Sequence, residues 1–467
     1  MHGLGGLFKI AVPVSVTPLA PATDWPALAG WSPPVDRRSP LEILREQERD
    51  RIAWLLPLRH QRMAAGVFEF FRGGAAFMAA DLARSPHSGL LVQLCGDAHL
   101  LNFGFYASPE RTLLFDIVDF DETYPGPFEW DLKRLLTSLV LVLQTRGVEA
   151  DRCEQAASAV AEHYRRTIAW LAGLPLMRMW GARPDLEQWI DDSPSQRFRR
   201  HLRDVVDKAR ERDTLHAAAR LCSRDDQGRL VFDHQPPTLQ RMESLPEPLR
   251  GALSTDQWSR EMIDSYCACA PSHIQQLLGY FQWRDWALKA VGVASVGTRC
   301  SIGLWVGPHD EDVLILQCKQ ALPSVLQPDL LHCAWPHQGQ RVVEGQRLLQ
   351  TYSDPFLGWA TSPQGEDLIW RHFRDWKGSV DLDQLGTKGL VEYGRLCAWV
   401  LAKAHARSSK ATPIAQCIAG QPAFERAMAA FAIAYSHTVQ ADYRNFCAAL
   451  SAGDHLVEAA DHHPFGA

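Results

Sequence analysis

Hydrophobic and polar positions change period several times along this chain. Residues 1 to about 40 carry Pro13, Pro18, Pro21, Pro26, Pro33, Pro34 and Pro40, which forbid a continuous helix and predict an extended arm over residues 1–38, laid on the surface. At Ser39-Pro40-Leu41-Glu42 a cap, a proline at the first helical position and an early acid predict a helix start. A second helical region is expected over 63–82, interrupted at Arg72-Gly73-Gly74. Residues 112–118 lack helical periodicity and read as a strand, whereas 131–145 and 151–174 return to helical spacing and read as core helices. The stretch 195–222 mixes arginines with acids, the pattern of a solvated helix face more than of a nucleic-acid patch.

Further along, 228–234 reads as a short strand and 256–278 as helix. From about residue 287 glycines stand among β-branched residues, and a polar turn at 308–312 leads into 313–319. This is a hairpin pattern with a Gly-bearing bend at one end and Lys319 near the end of its second strand. A helix over 340–352 carries Glu344, a strand is plausible at 367–374, and amphipathic helices over 392–407 and 422–450 close the chain. The expected organisation is α+β and mostly helical: a helical part over 39–285, a β-rich part over 286–380, and C-terminal helices over 381–467 packing back on the helical part.

Composition narrows the function classes. With 467 residues, 46% hydrophobic and 22% charged, the chain can build two or three domains or lobes. A formal charge of −6 argues against bulk attraction to nucleic acid or acidic membranes. The eleven cysteines are scattered singly except Cys267 and Cys269, without C-x-x-C spacing for zinc, as expected of reduced thiols. The first sixteen residues lack a basic region followed by a long apolar run, and no later stretch stays apolar for a membrane span. The expectation is a cytoplasmic protein without nucleic-acid or membrane partners. Oligomeric state leaves no signal.

Two polar clusters carry the candidate chemistry. Asp97, His99 and Asn102 share a compact loop, and Asp119, Asp121 and Glu122 follow the strand at 112–118. A carboxylate that orients a hydroxyl nucleophile, followed by an amide oxygen able to bind metal, is what phosphoryl transfer asks of a catalytic loop. The blander alternative has Asp97 capping a helix and Asn102 filling a turn. In the hairpin, Gly292-x-Ala294-x-x-Gly297 is a degenerate glycine-rich loop, against which stands a plain surface hairpin with an exposed lysine. Arg72, beside Gly73, and Arg299, two residues after Gly297, are either phosphate contacts or ordinary salt-bridged arginines.

The run G-D-x-H-x-x-N at 96–102, the strand ending in Asp119, and Asp131-Leu132 twelve residues later resemble the aminoglycoside phosphotransferase branch of the protein-kinase-like fold. That resemblance implies Asp97 as catalytic base, His99 bracing the loop, Asn102 and Asp119 as magnesium ligands with Asp121 as a further one, and Asp131 as a structural anchor. The hairpin ending in Lys319, followed by a helix with Glu344, resembles a kinase nucleotide-binding lobe. It implies Gly292, Gly297, Thr298 and Arg299 around the phosphates, and Lys319, held by Glu344, on the α/β-phosphates. Because the catalytic loop precedes the glycine loop here, the implied two-lobe fold is circularly permuted, with 392–407 in the place of the helix that leads into the catalytic loop. The implied cofactors are ATP and Mg2+, and the acceptor an unknown hydroxyl-bearing molecule.

The runs C-G-D-A-H-L-x-N-F-G, D-F-D-E-T-x-x-G-P-F-E-W-D-L-K-R-L, S-V-G-T-R-C and V-V-E-G-Q-R closely resemble a bacterial group known as the domain of unknown function 2252 family, over about residues 38–450. This resemblance implies membership but no reaction. Adenylyl transfer is a variant of the same reading. Its rivals are a metal-dependent phosphoester hydrolase built on Asp97, His99, Asp119 and Asp121, and a non-catalytic nucleotide-binding pseudokinase.

Overall fold

The computed structural model describes residues 24–453 other than 213, 246–255, 291, 294, 310, 331–334 and 374–375. Half of the arm's prolines (Pro13, Pro18, Pro21) and Ala294 of the glycine motif therefore lie outside the described residues. The fold is mixed α+β with antiparallel sheets.

The helical part is built on α1 (Glu129–Thr145), whose side chains from Glu129 to Leu143 are buried almost without exception. A helix that is apolar from Leu135 onward and buries even its polar first turns must be wrapped on every face. Its wrapping comes from both sides of it in the chain: helix Val67–Gly73 precedes it and α2 (Ala150–Ala172) follows it, while further partners arrive after the β-rich part. The capped helix Pro40–Glu48 forms with the expected capping box between Ser39 and Glu42, and the 63–82 region breaks at Gly74 between helices Val67–Gly73 and Ala75–Ala83. The charged stretch divides into Gln196–Arg210 and Thr214–Leu221.

Four short strands carry the polar clusters. β1 (Leu91–Leu94) pairs antiparallel with β4 (Tyr124–Pro127), and between them β2 (Phe103–Ala107) pairs with β3 (Leu113–Ile117). A small hairpin, β5 (Cys222–Arg224) and β6 (Leu230–Phe232), precedes the main sheet. That sheet contains β7 (Leu239–Arg241), β8 (Gln282–Lys289), β9 (Cys300–Val306), β10 (Val313–Gln320), β11 (Gly358–Thr361) and β12 (Asp367–His372), in the order β11-β12-β10-β9-β8-β7. Lys319 lies near the end of β10, opposite Cys300 of β9 and Ile369 of β12.

The sheet is apolar on both faces and is covered on both. Trp286, Trp305 and Trp370 pack under Met262, Tyr266 and Ile274 from helices Asp256–Cys269 and Ser272–Leu278. Ala287, Ile302, Leu304 and Ile315 meet Ala217, Leu221 and Phe232 on the other face. The β-rich unit thus recruits residues from about 214 onward, and the boundary expected at 285 falls inside it. The reason is physical: two apolar faces need helices that the 286–380 segment alone does not hold.

Helix α3 (Gln338–Leu349) crosses between the sheet and the acid-bearing strands. The chain then returns through α4 (Thr387–His405) and α5 (Pro422–Ser451), which pack on α1 and α2. Residues 24–38 lie along α5: Trp25 meets Phe424 edge-on at 5.1 Å, the Trp31 indole donates to Thr438 at 2.9 Å, and Arg37 bridges Asp81 and Asp442 at 2.8 Å each.

Candidate active site

The site starts from a turn that only glycine permits. Gly96 has φ +87°, and a Cβ on it would lie 2.2 Å from the carbonyl oxygen of Glu122, so residues 95–97 can rest directly against the 119–123 segment. Asp131, in the first turn of α1, accepts from the backbone N–H of Cys95 at 2.8 Å and of Gly96 at 3.0 Å. Behind it, His405 Nε2 lies 3.3 Å from Asp131 and His405 Nδ1 lies 2.8 Å from the Tyr164 hydroxyl, all buried. Asp131 thus holds the turn, as its sequence position implies.

Asn102 ties the two polar clusters together. Its Nδ2 donates to the carbonyls of Asp97 at 2.8 Å and Asp119 at 3.2 Å. With both amide hydrogens spent on backbone, the carbonyl Oδ1 is the group Asn102 has left for the cavities it lines. Two cavities meet at Asp97, Asn102 and Asp119. The larger, about 450 Å³, is also lined by His99, Arg72 and Gly292; the smaller, about 60 Å³, by Lys319, Asp121 and Thr298.

Each charged group at the junction has a defined partner. Asp97 Oδ1 accepts from Arg134 Nε at 2.5 Å, and Oδ2 lies 3.6 Å from His99 Nε2. Arg134, itself buried, stacks over the Phe71 ring at 4.2 Å. Burial pulls the His99 pKa down to about 4, so the ring is neutral near pH 7, and its Nδ1 has no hydrogen-bond partner among the described residues. Burial pushes the Asp119 carboxyl up, but Lys319, Arg371 and Lys377 outweigh it and hold it below the usual carboxylate range. Lys319 is buried, which lowers its pKa to about 8 against the pull of Asp119. Its Nζ pairs with the Asp121 carboxylate and donates to Ser295 Oγ at 2.8 Å.

The bend with Gly292 and Gly297 is the loop between β8 and β9, with φ +66° and +89° at the two glycines. Arginines near the start of the chain clamp its carbonyls. Arg51 donates to Val296 at 2.6 Å, Arg59 to Val293 at 2.9 Å, and Arg62 to Gly292. The Thr298 hydroxyl donates to the Ser295 carbonyl at 2.8 Å.

Three expected placements differ. Glu344 does not meet Lys319; it pairs with Arg347 at 3.1 Å. The face of α3 that reaches the acids carries residues 341 and 345, one turn apart, and 344 is rotated off it. There Arg341 donates to the carbonyls of Thr123 at 2.7 Å and of Asp121 and Leu322 at 2.9 Å, and a Cβ on Gly345 would be 2.5 Å from Thr123 Cγ2. Asp121, expected as a metal ligand, is instead the counter-charge of Lys319. Arg299 is exposed and pairs with Glu366, lining neither cavity.

Sequence reading missed most of the site's arginines. Arg134 left one signal, a cation leading directly into an apolar helical run. Arg212 and Arg220 left none, because the mixed charges around them read as solvated surface, yet both line the larger cavity. Arg371 there reflects the strand phase of β12, which needs the sheet register to be known.

Among the described residues no helix is long and apolar enough to cross a membrane, and none of the ten described cysteines is in a disulfide. Comparison with curated proteins and with solved structures gives no match. The family model described as uncharacterized protein conserved in bacteria (DUF2252) matches residues 51–449, and the chain belongs to that family.

Proposed function

We propose that this protein is an ATP- and magnesium-dependent phosphotransferase of protein-kinase-like, circularly permuted architecture, acting on a hydroxyl of a small molecule or protein. The observation that carries the reading is the meeting of Lys319 with Asp97, Asn102 and Asp119 beside the β8–β9 loop, across about two hundred residues of chain. A glycine-bearing loop between two antiparallel strands, followed by a third strand carrying a buried lysine, is how a kinase covers and contacts nucleotide phosphates. The permutation gains support from the end of α4: Ser408 Oγ accepts from Gln93 N–H at 3.2 Å, so the chain after α4 passes beside the strand that enters the 95–102 loop.

The donors fit magnesium better than a closed metal cage. No group of three His, Cys, Asp or Glu side chains converges as a metal site among the described residues. Magnesium commonly takes one or two carboxylates and completes its shell with water and substrate phosphates, a role open to Asp119 with the Asn102 Oδ1. Bound nucleotide and magnesium would supply the γ-phosphoryl group and neutralise its oxygens. Arg134 fixes one oxygen of Asp97, leaving the other to orient a hydroxyl and take its proton. Neutral His99 braces that carboxylate, and Ser295 with Asp121 holds the Lys319 ammonium at the mouth of the small cavity.

The hydrolase alternative loses support because Asp97 and Asp121 are each engaged by a cation. The test is thermal melting of the full chain with ATP, with and without magnesium, for wild type and Asp119→Asn. A magnesium-dependent upward shift in wild type alone is expected. Equal melting with and without nucleotide would overturn the reading.

A further inference from the structure

The larger cavity carries more positive charge than the proposed chemistry uses. Arg72, Arg212, Arg220, Arg371 and Lys377 line it, whereas Lys319 lines only the smaller one. The acids it contains are Asp97, paired with Arg134 and felt by Arg72, and Asp119, on which Lys319, Arg371 and Lys377 act, which leaves Arg212 and Arg220 without an acid there. The side chains of Arg72, Arg212 and Arg220 make no hydrogen bond or ion pair among the described residues, and Arg371 donates only to neutral oxygens, of Gln317 at 2.8 Å and Val118 at 3.3 Å. A buried donor position, Arg72 Nε, is also without a partner there.

A triphosphate at Lys319 with its magnesium is already neutralised in large part without these groups. Arginine forks left without carboxylates around a concave space of about 450 Å³ match the oxygens of a phosphate or carboxylate. We propose that this cavity binds a second small molecule bearing a multiply charged anionic group, a phosphate ester or a dicarboxylate, alongside the nucleotide. Resting on the phosphotransferase reading, this makes the hydroxyl acceptor an anionic metabolite rather than a neutral one, with its charge held by Arg72, Arg212 and Arg220 opposite Asp97.

The experiment is isothermal titration of inorganic phosphate, and separately of succinate, into the full chain saturated with a non-hydrolysable ATP analogue and magnesium, at fixed ionic strength. Binding of one or both is expected, and the stronger names the phosphate or the carboxylate class. The R212Q/R220Q double variant should weaken that binding at least tenfold and leave the affinity for the ATP analogue within twofold. Arg220 is exposed, so R220Q alone, checked by circular dichroism, keeps the test available if the double variant unfolds. Three results overturn the proposal: no anion binding, anion binding that competes with the analogue, or arginine variants that weaken the analogue instead, since the cations then serve the triphosphate. If the chain binds phosphate or succinate through these arginines but binds no nucleotide, the anion site stands and the phosphotransferase reading falls.

Discussion

Lys319 pairs with the carboxylate of Asp121 across 198 positions of chain, which joins the end of a sheet strand to the acid turn that follows β3. In a kinase nucleotide lobe a helix glutamate fills that partner role. Here the helix contributes an arginine to the backbone of the turn, and the turn itself supplies the counter-charge.

Asp97 and Asp119 should separate chemistry from binding. Asp97→Asn is expected to lower turnover by about 10²- to 10⁴-fold, the usual worth of a general base, with nucleotide binding retained. Asp119→Asn should lose the magnesium dependence of nucleotide binding as well. Single-turnover assays with melting curves check both, and full transfer by either variant would remove that residue from the mechanism.

The pH dependence of binding should report on Lys319. Its folded pKa is about 8, so the ammonium is charged at pH 7 and loses its proton as pH rises through 8. Nucleotide affinity is expected to be flat below that point and to fall by up to about tenfold per pH unit above it, and the fall should vanish in Lys319→Arg, which stays protonated. Stability runs the other way. The unfolded chain keeps the proton up to the ordinary lysine range, so the unfolded state binds more protons between about 8 and that range, and this residue's contribution to stability rises with pH across the window. Titration calorimetry from pH 6.5 to 9.5 on both proteins measures it.

Glu344→Gln should change little. Its partly exposed pair with Arg347 is worth about 0–1 kcal/mol, and nucleotide affinity should stay within twofold of wild type. Arg341→Met, by contrast, strips donors from three carbonyls at a fully buried position and is expected to cost at least about 3 kcal/mol. Urea unfolding of the two variants checks the contrast; the opposite ranking would mean that Glu344, not Arg341, anchors α3 to the acid turn.

Gly96→Ala should damage stability and site together. A methyl group at φ +87° meets the Glu122 carbonyl, and the combined strain is expected at about 2–4 kcal/mol. The displaced turn carries Asp97 with it, so turnover should fall even where melting shows the chain still folded.

Periodicity and local chemistry made much of the fold legible. The capping box at Ser39, the break at Gly74, the strand expected over 112–118, and the helices that became α1, α2, α4 and α5 each follow from residues within a few positions of one another. The anchoring role of Asp131 came only with the resemblance, since its bond to Gly96 spans 35 positions. Family membership was equally readable, because it rests on contiguous runs.

Partnership over long separations was left to the tertiary structure. Which carboxylate faces Lys319, which side of α3 meets the acid turn, and which arginines of a mixed-charge stretch turn inward depend on how helices and strands are rotated about their axes when two apolar sheet faces and a helix buried all round find cover. Local sequence carries a helix's period but not the direction its polar residues finally point. Residues 344 and 341 are equally plausible in the linear chain, and only the docking of Gly345 against Thr123 selects between them.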